Sequence, residues 1–164
     1  MSRLWRLFGF LTSVGQASQA PHLKIGSLGE QAAREYLVGR EGYSIVGSNV
    51  EVDLARGRDG RKHTGEVDLI AYDHGTLVFV EVKTRTTDRI LPPERNVDLR
   101  KRRQIARVAR RYRQLMKVSD ETHRYDVVTV VLGGDNPKIE LHRGYFDDQS
   151  FRKARFFRND PFSW

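Results

Sequence analysis

Gly65 to Arg85 reads G-E-V-D-L-I-A-Y-D-H-G-T-L-V-F-V-E-V-K-T-R. Two apolar runs flank Asp73-His74-Gly75-Thr76, and a two-residue turn with glycine second is a strong hairpin signal. The spacing predicts antiparallel strands over Glu66–Asp73 and Thr76–Lys83. With His74 and Gly75 as the turn, Asp73 faces Thr76, and counting outward sets Asp68 against Glu81 and Glu66 against Lys83. Opposed residues on one face hold their Cβ atoms about 4.5–5.5 Å apart, so a bare Asp68–Glu81 pair repels unless a cation lies between the carboxylates.

In the second strand, Thr76, Val78, Val80 and Val82 point one way and Leu77, Phe79, Glu81 and Lys83 the other. Both faces are apolar for most of their length, which predicts a central strand covered on both sides. Two charges that finish such a face are costly unless they pair or bind a metal.

Asp68, the short hairpin and Glu81-Val82-Lys83 resemble the D…(D/E)-x-K signature of the restriction-endonuclease-like superfamily. The longer wording, G-E-V-D-L-I followed by V-F-V-E-V-K-T-R, resembles the YraN-type family of bacterial proteins, which is grouped with endonucleases related to Holliday-junction resolvases. The similarity runs from about Gly26 to Phe146, with Val67 where the superfamily often has proline before the aspartate. It implies a restriction-endonuclease-like core and a Mg²⁺- or Mn²⁺-dependent endonuclease. Asp68 and Glu81 would be metal ligands, with the Val82 carbonyl, and Lys83 a catalytic lysine. It further implies DNA, in branched or flayed form among others, as a partner favoured over RNA.

Outward from the hairpin, 164 residues suit one domain with a real core. The net charge of +8 points to a polyanionic partner, nucleic acid ahead of a membrane; a solvated basic surface is the plainer account. No cysteine is present, which excludes disulfide scaffolds, thiol catalysis and cysteine-ligated zinc, and fits a cytoplasmic setting.

Residues 1–25 read as an extension. Arg3 and Arg6, a short apolar run and Ser18-Gln19-Ala20 allow a signal peptide, but Gly9 interrupts the run, and a mobile or surface-docked extension is preferred. No stretch here is long enough to span a bilayer. Ser27-Leu28-Gly29-Glu30 matches a capping box opening a helix that Gly39 ends, with Leu28, Ala32, Ala33, Tyr36 and Leu37 as its apolar stripe. Glu30 has two readings: a capping side chain or, by the resemblance, a fourth catalytic and metal-binding residue. Tyr43–Ala55 is an irregular strand with a bend or bulge at Gly47-Ser48-Asn49, and Arg56–Thr64 is a basic loop.

Thr84–Val97 is a connector carrying Arg85, well placed to touch substrate. Asn96 or Asp98 then caps a helix to about Lys117, with Ile105, Val108, Ala109, Tyr112, Leu115 and Met116 buried. The rest of that helix is basic with few acids to offset it, which favours a phosphate-tracking face carried by Lys101, Arg103, Arg107 and Arg110. Lys101 lies nearest to a family position.

Tyr125–Leu132 reads as a buried strand and Lys138–Tyr145 as an edge strand; Arg124 and Asp126 match the family wording and equally suit a structural ion pair. The tail, 147–164, alternates Phe151, Phe156, Phe157, Phe162 and Trp164 with basic residues, so it stacks on bases or docks on the domain. The resulting order is α-β-β-β-α-β-β: a single nuclease-like α/β domain over 26–146, its mixed sheet flanked by helices. A binding module of a repair or competence complex that cleaves nothing is the alternative function.

Overall fold

The computed structural model describes residues 21–56, 62–86, 97–119, 122–133 and 136–148. The N-terminal segment 1–20, most of the connector and the aromatic tail from 149 onward therefore lie outside the described residues. The elements follow the expected order: α1 (Pro21–Gly39), β1 (Ser44–Arg56), β2 (Lys62–Asp73), β3 (Thr76–Arg85), α2 (Leu99–Met116), β4 (His123–Val131) and β5 (Lys138–Phe146). The five strands form one sheet in sequence order. Only β3 and β4 pair in parallel, because α2 carries the chain back between them, and the other pairs are antiparallel.

β3 is the middle strand, and Leu77 through Val82 are buried without a break. A strand covered by a layer on each face has no polar side, which is why its sequence runs apolar rather than alternating. One layer packs α2, through Ile105, Val108 and Ala109, against Val67, Ile70, Phe79 and Val127. The other packs α1, through Ala33 and Leu37, against Leu69, Val78, Val80 and Val128. Each fully buried Val, Ile or Leu contributes about 1.5–3 kcal/mol.

The β2–β3 turn is as the sequence predicts. His74 and Gly75 both have positive φ, 47° and 90°, the mirror-image turn whose twist matches a hairpin and which glycine adopts without strain. The register from Asp73↔Thr76 to Leu69↔Val80 is also as expected. At Asp68 it changes. Val67 and Leu69 lie two residues apart yet face opposite layers, so the alternation slips there and the β2–β3 ladder goes no further. Beyond that point β2 pairs only with β1, and β3 only with β4. The cross-strand pairs Asp68–Glu81 and Glu66–Lys83 therefore do not form as ladder partners. Two carboxylates facing each other oppose ladder closure, and the strands part where they meet.

Other expectations need correction. α1 runs straight through Ser27, so Ser27-Glu30 is helix interior and Glu30 caps nothing. The inward face is Gly29, Ala33 and Leu37, and Leu28 is exposed. Leu115, at the edge of the α2 stripe, is exposed as well. The basic loop is shorter than its polar composition suggests, because Arg56↔Lys62, Ala55↔His63 and Asp53↔Thr64 are paired, and ladder hydrogen bonds outweigh composition. β1 carries two register shifts: one between Ile45 and Gly47, at the edge of the Gly47-Ser48-Asn49 run where Asn49 has φ 50°, and one between Asp53 and Ala55.

At the turn end of the sheet, Arg124 donates to Asp126 and, at 2.7 Å, to Asp73. Tyr43 donates to Asp126 at 2.9 Å, as does the Gly144 amide at 2.8 Å. This network satisfies a carboxylate that is almost fully buried, so the structural account of Arg124 and Asp126 holds.

Candidate functional site

The opposite end of the sheet collects the residues singled out from the sequence. Where β2 leaves β3, the Asp68 carboxylate takes the place of a ladder partner and accepts the Val82 amide at 2.6 Å. The amide and carbonyl of one strand residue point to the same side, so the Val82 carbonyl faces this opening too. Glu81, one residue back, is a buried glutamate with its side chain only 3% exposed. Lys83 donates to Glu81 Oε1 at 2.6 Å. Lys101, from the first turn of α2, brings its Nζ to 3.1 Å from Oε2. Each Glu81 oxygen thus has one lysine ammonium beside it.

Asp98 sets Lys101 there. It is the α2 N-cap and accepts the Lys101 amide at 2.8 Å, which starts the helix beside the end of β3. The partner of Lys83 is thus Glu81, not the Glu66 that a continuous register predicts; Glu66 is exposed.

α1 adds Glu30. A Cβ at Gly29 would fall 1.9 Å from Thr84 Oγ1 and 2.6–2.7 Å from two other Thr84 side-chain atoms. Glycine lets α1 settle onto β3 three residues beyond Glu81, and the neighbouring Glu30 is half-buried within Coulombic reach of Asp68. Among the described residues no group of three or more Asp, Glu or His side chains is gathered tightly enough to hold an ion by itself.

The electrostatics follow from this packing. Burial pushes the Asp68 carboxyl up to about 7, Glu81 adds to the rise, the Val82 amide and Lys101 oppose it, and Glu30 adds a smaller push. Burial pulls the Lys101 ammonium down, but Glu81 and Asp68 outweigh it and the net direction is up. The second oxygen of Asp68, the Glu81 carboxylate and the Val82 carbonyl make an all-oxygen donor set. Such a set suits a hard divalent cation such as Mg²⁺ or Mn²⁺.

Of the proposed nucleic-acid contacts, Lys101 touches the acidic pair. Arg85 ends β3 and is half-buried. Arg107 and Arg110 are exposed on α2 and Arg103 is half-buried there. Two groups were missed from the sequence. Thr129, the parallel partner of Lys83 on β4, keeps its Oγ1 buried without a hydrogen bond. His142 on β5 does the same with Nε2, 3.6 Å from a Glu140 oxygen. Both share the face of Glu81 and Lys83 across β3, β4 and β5, a relation that appears only once the strand order is known.

Comparison with known proteins agrees with this picture at the level of family. A UPF0102 protein of Solibacter usitatus is 40% identical over 121 residues, 74% of this chain and 84% of that one. Another, from Symbiobacterium thermophilum, is 42% identical over 112 residues, 68% and 86% of the two chains. The crystal structure of SSO0001 aligns with a TM-score of 0.42 at 18% identity, over 86% of this chain and 63% of that one, a likeness too low to carry weight. No described helix is long and apolar enough to cross a membrane. Residues 29–130 match the profile described as uncharacterised protein family UPF0102, and with relatives this similar along most of its length the chain belongs to that family.

Proposed function

We propose that this protein is a metal-dependent endonuclease that hydrolyses phosphodiester bonds in DNA, on a restriction-endonuclease-like core. The observation that carries this reading is the Asp68–Glu81 pair, a half-buried and a buried carboxylate brought together where β2 and β3 part. A protein that only needed stability would replace such a pair with apolar side chains at no loss.

In this reading Asp68 and Glu81 hold Mg²⁺ or Mn²⁺ together with the Val82 carbonyl. When bound, the ion supplies Lewis acidity and a water of lowered pKa. Asp68 is oriented by the Val82 amide, so one oxygen is fixed and the other stays available. Lys83 and Lys101 both rest on Glu81 and lie within a side chain's swing of a phosphate held at the pair. Their ammonium groups stabilise negative charge that develops on the phosphoryl oxygens. Glu30 adds negative charge from α1 and draws the cation in. The surplus of basic residues supplies non-specific attraction to the backbone.

A second reading, a nucleic-acid-binding module without cleavage, draws on the same two lysines: they already neutralise Glu81, as a purely structural cluster would. Incubating the full chain with flayed, branched and duplex DNA, in Mg²⁺, Mn²⁺ or EDTA, separates the two. Endonuclease action predicts cuts with either metal that vanish in EDTA and in Asp68→Asn. Binding without cuts in any metal would leave the module.

A further inference from the structure

The exposed arginines of α2 do not face the carboxylate pair. Eight of its eighteen residues are Lys or Arg and none is Asp or Glu. At about 100° per residue, Arg100, Arg107 and Arg111 fall within about 40° of one another, on a line about 140–180° round from Ile105 and Ala109 and about 80° from Val108. Lys101 lies about 100° round from Arg100, on the buried side, where it meets Glu81. Arg102, also turned inward, is occupied by the fold: it donates to the Val97 carbonyl and lies over the Tyr145 ring. Arg100, Arg107 and Arg111 are exposed, and among the described residues none of them has a carboxylate at ion-pair distance.

The inner side of α2 is packed on the sheet, so a strand whose phosphate reaches Lys101 and Glu81 meets the helix only at its first turn. The outer stripe runs from that turn along the far side of a helix that is about 10–12 Å across with its side chains. One backbone reaches both only by turning around the Leu99 end. From Arg100 to Arg111 the stripe is about 16 Å long, at about 1.5 Å per residue. That length matches about five phosphates of one strand at about 3.4 Å each along a duplex axis.

We propose that the outer stripe, Arg100, Arg107 and Arg111, holds a second stretch of sugar–phosphate backbone, separate from the strand seated at Asp68 and Glu81, so that the ligand is double-stranded nucleic acid. This rests on the site reading above for the position of the first strand. It assigns the stripe a partner that the carboxylate pair alone does not require.

The test is fluorescence anisotropy on the full chain in EDTA, with a short single strand of DNA and the duplex made by annealing its complement. The triple variant Arg100→Gln/Arg107→Gln/Arg111→Gln is compared with wild type, each checked for folding by circular dichroism. The proposal predicts a loss of about tenfold or more on duplex and a fall of about 2.7 in the slope of log affinity against log salt, with a loss below about twofold on the single strand. Equal loss on both would mean that one strand spans both faces, and no loss on either would mean a solvated face; each overturns the proposal. Metal-dependent cleavage by wild type is scored separately. A duplex-selective stripe without cleavage would sink the nuclease reading and leave this one standing.

Discussion

Asp68→Asn tests the site through stability, before any activity is sought. In the folded protein the Asp68 carboxyl is raised from 3.8 to about 7, by burial first and by Glu81 second. For an acid raised on folding, the ionised form is the disfavoured one. Metal-free stability is therefore fully present below about pH 4 and is lost as pH rises to about 7. At about 1.36 kcal/mol per pH unit, the rise corresponds to a ceiling of about 4 kcal/mol. Asparagine keeps an oxygen for the Val82 amide, now as a neutral acceptor, which is weaker by about 1 kcal/mol. Its amide N–H groups find a ready acceptor in Glu81. The expected outcome in EDTA at pH 8 is a variant more stable than wild type by about 1–3 kcal/mol, with the difference shrinking toward zero at pH 4. Urea denaturation of both proteins at several pH values measures this directly. Adding Mg²⁺ or Mn²⁺ should raise the melting point of wild type and leave the variant unmoved. A variant less stable than wild type at pH 8 in EDTA would refute the reasoning, because Asp68 would then be a partner in a native ion pair rather than half of a repelling one.

Three further outcomes follow from the packing. Gly29→Ala places a Cβ 1.9 Å from Thr84 Oγ1 and should cost about 1–3 kcal/mol in thermal melts, whereas Gly39→Ala in the same helix meets nothing within 4 Å and should cost nothing or gain up to about 1 kcal/mol. Thr129→Val removes a buried hydroxyl that has no hydrogen bond and should leave stability equal or higher by up to about 1 kcal/mol; a clear loss would reveal a partner for that oxygen. Asp73 is held below the usual carboxylate range by its hydrogen bond from Arg124, then by that from His74. Its contribution is present above the unfolded carboxylate pKa and lost as pH falls through the lower folded value, so Asp73→Asn should weaken the protein at neutral pH and flatten the acid limb of its denaturation curve.

Much of the architecture was legible because it depends on local pattern. The two-residue turn at His74-Gly75 fixes the hairpin, the unbroken apolar run of β3 marks it as central, and the spacing of Ile105, Val108 and Ala109 marks the inner face of α2. The same register brought Asp68 to Glu81 in the reading of the chain, and they are neighbours in space. That ladder logic ran three pairs too far, past Leu69↔Val80 to Glu66 and Lys83. Glu66 and Lys83 are not partners, because the strands part at the carboxylates and Lys83 turns to Glu81 instead. The capping box at Ser27 was a false signal: a local motif cannot report that the helix continues on its N-terminal side.

What the sequence determined by itself, then, is what lies within reach of one element: its type, its inward face, its turn and the identity of the opposed acids. What only the tertiary structure decided is what several elements share. Lys101 lies twenty residues beyond Glu81 and meets it because α2 starts where β3 ends. Glu30 acts on Asp68 because Gly29 lets α1 close on Thr84. Thr129 and His142 join that face because β4 and β5 follow β3 in the sheet. Arg100, Arg107 and Arg111 of α2 prove to face away from the acids because the core claims another side of the helix. Hydrogen-bond pattern and hydrophobic period act over a few residues, whereas burial, pKa shifts and charge pairing depend on distance in space, which the chain sets only when it packs.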